Sequence, residues 1–233
     1  MLLSNKFIVI EGLDGAGKST QIKLLKKYFV NNNIDFQYLH FPRTDSPIYG
    51  ELISKFLQGE FGYTNEVNPY LVALLYAGDR NETKDIINNY MKNNLIVLVD
   101  RYVYSNIAFQ CAKFSNLKKK EKLESWILNL EYKHNKIPKP FLSLYLRVPF
   151  DFVSKKLNNV RSGEERSYLN GKKDIHESDL TLQKDVEKEY LKLIEKYDDI
   201  VNIDCFTQNK GINEPQIIHE RIIDLLFKKG LLS

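Results

Sequence analysis

The stretch from Phe7 to Thr20 restricts the possible folds more than any other part of the sequence. It opens with an apolar run, Phe7 to Ile10, whose β-branched residues are typical of a strand buried on both faces. The pattern Gly-x-x-x-x-Gly-Lys-Ser occupies positions 12–19, and apolar residues recur at helical spacing after it. A strand, a glycine-rich loop and a helix in this order predict a loop that binds phosphate.

The chemistry of such a loop follows from its backbone and from two side chains. Glycines allow backbone N–H groups to turn towards phosphate oxygens, and the N-terminus of the helix adds partial positive charge. We expect Lys18 to reach the β- and γ-phosphates of a nucleotide and Ser19 to offer its hydroxyl to Mg²⁺. The alternative, a chance match in an ordinary turn, is disfavoured by the flanking strand and helix.

Composition limits the class of protein. The chain has 233 residues, enough for one α/β domain, and its net charge of +4 suits an anionic substrate without requiring nucleic acid. Cys111 and Cys205 are far apart and the four histidines lack zinc spacing, so we expect free thiols in a reducing cytoplasm. We also expect no signal peptide and no membrane span, because the first strand starts at once and no apolar run is long enough.

Strands and helices alternate along the chain. Further strands are predicted at 36–39, 95–99, 142–146 and 200–203, with helices between them. Two of the helices are predicted to be long and continuous, 69–93 and 120–134. This alternation predicts an α/β fold, a parallel sheet covered by helices on both faces, in one domain spanning residues 1–233.

The segment 159–174 differs from the rest of the chain. It is polar, dense in charge and contains glycine, and its apolar residues do not recur at helical or strand spacing. We interpret it as a mobile lid over a site, with a disordered solvent loop as the alternative.

Charged residues follow three of the predicted strands. Glu11 and Asp14 follow the first strand, Arg43 the second, and Asp100 and Arg101 the strand at 95–99. Ligands of parallel α/β sheets bind outside the carboxyl ends of the strands, so these side chains are expected to converge there. Carboxylates and arginines beside a phosphate loop predict phosphoryl transfer between two anionic substrates.

Four motifs together resemble those of thymidylate kinases, P-loop nucleoside monophosphate kinases that transfer the γ-phosphoryl of ATP to thymidine monophosphate (dTMP). They are Glu11–Thr20, Phe41-Pro42-Arg43, Tyr76-Ala77-Gly78-Asp79-Arg80, and Asp100-Arg101-Tyr102 with Ser105-Asn106. The resemblance implies a three-layer P-loop kinase fold with a five-stranded parallel sheet and a mobile lid. It also implies a homodimer that binds ATP, Mg²⁺ and dTMP, with neither nucleic acid nor a membrane as partner.

The resemblance implies a role for each matching residue. ATP would lie on Gly12, Leu13, Asp14, Gly15, Ala16, Gly17, Lys18, Ser19 and Thr20, with Mg²⁺ near Ser19 and Asp100, and dTMP would be held by Asp14, Phe41, Arg43, Tyr76, Arg80, Arg101, Tyr102 and Asn106. Arg43 and Arg101 would grip the acceptor phosphate, because guanidinium forks match phosphate oxygens. Asp14 would form a hydrogen bond with the sugar 3′-hydroxyl. Tyr102 would leave little room for a hydroxyl at the 2′ position of the sugar, which favours deoxyribose. Tyr76 would stack on thymine, and Arg80 and Asn106 would hydrogen-bond its polar edge.

Simpler roles remain open for several of these residues. Either arginine alone could form a surface salt bridge, Asp14 could be a turn aspartate, and Tyr76 could be a core residue.

The chain departs from the family pattern at two positions. Tyr76 stands where phenylalanine is more usual, and Gly15 stands where some members carry an arginine that assists transfer. Members without that arginine supply basic residues from the lid. We therefore expect Arg161 or Arg166 to stabilise the transition-state charge, and the sequence does not choose between the two. The other predicted catalytic residues are Lys18, Arg43, Arg101 and Asp100, the last as the magnesium-side carboxylate or as a residue that orients a phosphate-binding group.

Two rival functions are retained. A kinase for another nucleoside monophosphate or for a deoxynucleoside would share the fold, and the deoxynucleoside enzyme would need a carboxylate base such as Glu11. A nucleotide-binding regulatory module would explain the phosphate loop but not the second arginine or the base-side residues.

Overall fold

A computed structural model describes residues 6–158, 168–169, 171–172, 174–207, 209 and 211–232. Within them the strands are β1 (Phe7–Gly12), β2 (Phe36–His40), β3 (Ile96–Asp100), β4 (Leu142–Arg147) and β5 (Ile200–Asp204). The helices are α1 (Lys18–Asn31), α2 (Tyr49–Leu57), α3 (Pro69–Glu82), α4 (Lys84–Lys92), α5 (Val103–Cys111), α6 (Leu117–Leu128), α7 (Phe150–Asn158), α8 (Ile175–Ser178), α9 (Leu180–Lys196) and α10 (Pro215–Lys228), with a π-helical turn at Asn129–His134.

The strands form one parallel sheet in the order β2-β3-β1-β4-β5. Every residue of β1 and of β3 is buried, which requires cover on both faces of the sheet. Two groups of helices supply it, since α1 packs on α10 while α5 packs on α3, α6 and α9. The predicted parallel sheet with helices on both faces is confirmed, and β1 lies at its centre, where the strand order reverses and ligands of such sheets bind.

The prediction of one continuous helix at 69–93 was wrong. The structure divides this segment into α3 and α4 at Thr83. The backbone N–H of Thr83 donates to the carbonyl of Arg80, and so does its hydroxyl, at 2.8 Å. The carbonyl of Asp79, which a continuing α-helix would offer to Thr83, instead accepts from Nη2 of Arg43 at 3.1 Å. A long-range contact therefore ends the helix.

The predicted helix 120–134 also differs from the structure. It begins earlier, at Leu117, because the side chain of Asn116 accepts from the backbone N–H of Lys119 at 3.1 Å and caps the first turn. It then changes at Asn129 into the π-helical turn, a form that is often found at functional sites.

A small second core attaches the region around α2 and α3 to the segment before α9. It consists of Ile53, Phe56, Leu57, Val72 and Ile175, with Tyr76 and Tyr168 packed against it. Among the described residues, no helix combines the length and apolar character needed to span a bilayer.

Candidate active site

The phosphate loop joins the end of β1 to the start of α1. Gly15 and Gly17 adopt φ of 80° and 90°, a left-handed conformation that favours glycine, and α1 begins directly after Gly17. Nζ of Lys18 folds back over the loop and donates to the carbonyl of Leu13 at 3.1 Å. Burial and the nearby charge of Arg101 lower the pKa of Lys18 to about 8. A nucleotide phosphate would offset both effects.

Arg101 is held by groups of the protein itself. Its Nη2 donates to Oδ1 of Asp14 at 2.6 Å, and its Nη1 donates to the hydroxyl of Ser105 at 3.1 Å. The other oxygen of Asp14 accepts from Nε2 of Gln183 on α9 at 2.9 Å. Burial alone would raise the pKa of Asp14, but the charges of Arg101 and Lys18 hold it well below its usual range. Asp14 is therefore ionised, and it orients Arg101.

Asp100 ends β3 beside the phosphate loop. Its Oδ2 lies 3.4 Å from Nδ1 of His40, and its buried Oδ1 has no hydrogen-bond partner among the described residues. Burial opposes ionisation, but His40 and the charges of Lys18 and Arg101 outweigh it and lower the pKa of Asp100. An ionised carboxylate with one unpaired oxygen suits a cation that is bound mainly through nucleotide phosphates and water. Groups of three metal-ligating side chains are absent from the described residues.

Arg43 lies in the loop after β2 and makes an extensive contact with α3. Its backbone N–H and its Nε donate to the carboxylate of Asp79 at 2.9 and 2.8 Å. Its Nη2 also donates to Glu82 at 2.8 Å. Because a guanidinium has five N–H groups, these contacts orient Arg43 and leave both N–H groups of Nη1 for a ligand.

On the base side, the structure places Arg80 in a buried ion pair. Its Nε donates to Oε2 of Glu131 at 2.8 Å, and its Nη2 donates to Oε1 of the same residue. Asn106 joins this network, because its Nδ2 donates to Oε1 of Glu131 at 3.1 Å and to the carbonyl of Ala73 at 3.0 Å. Oδ1 of Asn106 is buried, and no residue in the described part of the chain forms a hydrogen bond with it.

Three aromatic residues complete the base side. Tyr102 is buried, and its hydroxyl donates to the carbonyl of Pro138 at 3.0 Å. The ring of Phe41 lies 5.9 Å from that of Tyr102, centroid to centroid. Tyr76 is half-buried and faces the second core with Tyr168.

One cavity of about 1190 Å³ brings most of the expected residues together. Its lining includes the loop residues Asp14, Gly15, Ala16, Gly17, Lys18, Ser19 and Thr20, the arginines Arg43, Arg80 and Arg101, and Asp100, Phe41, Tyr76, Tyr102 and Asn106. Gly12 and Leu13 are buried beneath the loop instead of lining the cavity. Arg161 and Arg166, the candidate lid arginines, lie outside the described residues.

Comparison with known proteins agrees with this geometry. The family model for thymidylate kinase matches residues 10–216. A probable thymidylate kinase of Thermococcus kodakarensis is 32% identical over 225 residues, covering 94% of this chain and 96% of that protein. A thymidylate kinase of Plasmodium falciparum is 37% identical over 160 residues, covering 69% of this chain and 68% of its own. The chain belongs to the thymidylate kinase family.

A solved structure shows the same fold. Thymidylate kinase from Candida albicans superposes with a TM-score of 0.75 at 22% identity, covering 97% of this chain and 93% of the other. The predicted P-loop kinase fold with a five-stranded parallel sheet is therefore confirmed.

Two residues in this thymidylate kinase site were missed in the sequence analysis. Gln183 holds Asp14 from α9, and Glu131 holds Arg80 and Asn106 from the π-helical turn. Gln183 carries no signal in the sequence. Glu131 has one, since it continues the i, i+4 spacing of Leu123 and Ile127, both buried, and a carboxylate on an apolar helix face needs a partner.

Proposed function

We propose that this protein transfers the γ-phosphoryl group of ATP to dTMP and forms dTDP, a step in dTTP biosynthesis. The observation that carries the proposal is one cavity lined by a phosphate loop, by two arginines suited to a second phosphate and by base-side residues. Family membership supports the same reaction.

The proposed mechanism rests on positioning and charge neutralisation. Lys18 holds the β- and γ-phosphates of ATP, while Arg43 and Arg101 hold the acceptor phosphate in line with the γ-phosphoryl group. A phosphate oxygen is already a competent nucleophile at neutral pH, so no general base is required. Mg²⁺, held by Ser19 and Asp100 with the nucleotide, would neutralise the charge on the transferred group.

The base-side network supports thymine as the base. Both neighbours of the Asn106 amide nitrogen are acceptors, which assigns Nδ2 to them and leaves Oδ1 as an unpaired acceptor. Thymine offers a matching donor at N3–H, and the guanidinium of Arg80 is a donor for O4. Tyr76 lines the same cavity and offers a face for stacking.

The contacts and burial of Glu11 argue against the rival function, a deoxynucleoside kinase. The carboxylate of Glu11 accepts from the backbone N–H of Tyr102 at 3.0 Å and from the hydroxyls of Ser105 and Tyr190 at 2.5 and 2.9 Å. It is fully buried, burial raises its pKa, and it is not part of the cavity lining. It supports Ser105 and thereby Arg101, and it does not reach an acceptor hydroxyl as a base must.

ADP formation tests the proposal. We expect ATP and Mg²⁺ to yield ADP rapidly with dTMP, slowly with thymidine, and at background level without an acceptor. Faster turnover with thymidine would establish the deoxynucleoside kinase, and acceptor-independent or absent turnover would favour the regulatory module.

We propose further that 159–174 acts as a lid and that Arg161 or Arg166 assists transfer. Contacts at the end of this segment support it, since Gln58 donates to the carbonyl of Tyr168 at 2.5 Å and Lys172 pairs with Glu60 at 2.9 Å. Both bonds join the segment to residues that directly follow α2. If alanine at both 161 and 166 leaves kcat intact, this role is wrong.

We propose a cytoplasmic homodimer. The free, buried thiols of Cys111 and Cys205 support a reducing compartment, and the exposed Leu71 and Leu74, one turn apart on α3, support a contact between copies. Light scattering is expected to give twice the chain mass of 27.3 kDa, and the single mass would contradict the dimer.

A further inference from the structure

Glu131 has no place in any of the four motifs, yet it contacts two base-side residues at once. It is fully buried, and its carboxylate accepts from two nitrogens of Arg80 and from Nδ2 of Asn106. A buried carboxylate that retains its charge is an acceptor only. Every group bonded to Glu131 must therefore present a donor to it.

This requirement fixes which end of the Asn106 amide is available to a ligand. An amide can rotate by half a turn and exchange its donor with its acceptor. Oε1 of Glu131 at 3.1 Å and the carbonyl of Ala73 at 3.0 Å both hold the nitrogen of Asn106, so its oxygen remains unpaired in a residue that lines the cavity. The same carboxylate holds the guanidinium of Arg80, which is a donor in every state.

We propose that Glu131 is the positioning residue that sets the base selectivity of this site, an inference that rests on the proposed dTMP kinase function. By holding Asn106 as an acceptor and Arg80 as a donor, Glu131 makes the site complementary to an N3–H donor beside a carbonyl. Thymine and uracil present that pair. Cytosine presents the opposite pair, an unprotonated N3 beside an amino group, and leaves Oδ1 of Asn106 unpaired.

The test is the Glu131→Gln variant assayed with dTMP, dUMP and dCMP. Glutamine can present a donor to Asn106, so only the carbonyl of Ala73 still favours the orientation with Nδ2 towards the protein, and the flipped amide becomes more populated. We expect the ratio of kcat/KM for dCMP to that for dTMP to rise about tenfold or more. The ratio for dUMP to dTMP stays unchanged, because these two bases share the N3–H and O4 edge.

A matched control separates this effect from general damage. Glu189 is also buried and ion-paired, with Lys120 at 2.7 Å and Lys192 at 2.9 Å, but it is not part of the cavity lining. Glu189→Gln is expected to leave both substrate ratios unchanged. A purely structural role for Glu131 would lower kcat/KM for all three acceptors by one common factor.

Glu131→Gln removes the negative charge that is paired with buried Arg80, which is expected to lower the stability of the protein. A second variant is therefore included. Glu131→Asp keeps that charge but withdraws the carboxylate by one methylene, and we expect the dCMP ratio to rise in it as well. If the wild-type protein does not prefer dTMP over dCMP, the proposed function fails and the inference fails with it. If the wild-type protein prefers dTMP but neither variant changes the dCMP ratio, only the role of Glu131 is overturned.

Discussion

Arg43 and Arg101, the two arginines proposed to hold the acceptor phosphate, are each oriented by a carboxylate of the protein. Arg43 bonds to Asp79, and Arg101 bonds to Asp14. A guanidinium that is already oriented loses less conformational freedom when the phosphate arrives, so the carboxylates support binding although they carry the wrong charge for it. Removing one of these carboxylates is therefore expected to weaken binding of the acceptor nucleotide.

The Asp79→Asn variant tests this preorganisation. Asparagine loses the charge and turns one acceptor of Arg43 into a donor, so we expect kcat/KM for dTMP to fall about ten- to hundredfold. The KM for ATP is expected to change little. Glu51→Gln, which affects only an exposed pair with Lys55 on α2, serves as the control. If kcat/KM fell by the same factor for ATP and for dTMP, a specific effect on Arg43 would be contradicted.

Lys113 gives a prediction about stability. Its ammonium is buried 4.9 Å from the ring centroid of Phe56, and none of the residues that the structure describes forms a hydrogen bond with it. Burial lowers the pKa of Lys113 to about 7. An unfolded lysine has a pKa of about 10.4, so between pH 7 and 10 the unfolded chain binds more protons. Folding stability attributable to Lys113 therefore rises with pH across this range and is lowest below pH 7.

Replacing the lysine is expected to remove this dependence. At pH 7, Lys113→Met should increase the free energy of unfolding by about 1–3 kcal/mol, and the difference from wild type should shrink towards pH 10. Urea unfolding at several pH values measures both quantities. The exposed Lys119→Met serves as the control, and parallel curves for wild type and Lys113→Met would show that the ammonium is not desolvated.

At the scale of elements, the contact of α2 with α3 brings the loop of Arg43 next to Tyr76 and Arg80. Gly78 makes this contact possible, because a Cβ added there would lie 2.1 Å from a ring carbon of Tyr49. Alanine normally stabilises a helix relative to glycine, so the steric effect and the helix propensity predict opposite signs here. The overlap is too severe for side-chain adjustment alone, and the steric effect is expected to dominate.

We therefore expect Gly78→Ala to destabilise the protein by about 1–3 kcal/mol. Combining it with Tyr49→Ala should cost less than the sum of the two single changes, because the clash is then absent. Chemical denaturation of the four proteins in the cycle measures the coupling. Gly211→Ala, where the added Cβ would meet only the hydroxyl of Thr207 at 3.4 Å, is the control. Strict additivity would contradict this packing.

The strands β1 and β3 could be predicted from the sequence because they are buried runs rich in β-branched residues, and the phosphate loop because its spacing is specific. The helix boundary at Thr83 could not be predicted in this way, since a contact between distant residues decides it. The break at Thr83 depends on Arg43, which is about 40 residues away in the chain. The same reason explains why Gln183 was missed, since it acts on Asp14, which is distant in sequence. The spacing of Glu131 after Leu123 and Ile127 could have identified it as a buried carboxylate, but not its partner Arg80.

At the scale of the whole molecule, the site is assembled from the ends of three neighbouring strands and from one helix. The phosphate loop follows β1, Arg43 follows β2, Arg101 follows β3, and Gln183 reaches Asp14 from α9. The parallel register brings the ends of β1, β2 and β3 to one edge of the sheet, with Ile10 paired with Asp100 and His40 also paired with Asp100. The fold therefore places the phosphate loop and the two arginines proposed for the acceptor phosphate in one cavity.

A competition assay tests the central claim most directly. ATP and Mg²⁺ are offered with an equimolar mixture of dTMP, dCMP, dAMP, dGMP and thymidine, and the products are separated by chromatography. We predict that dTDP forms first and in large excess over every other product. Preferential formation of another diphosphate would contradict the assignment of Tyr76, Arg80 and Asn106 to thymine. Preferential consumption of thymidine would contradict the acceptor-phosphate role of Arg43 and Arg101.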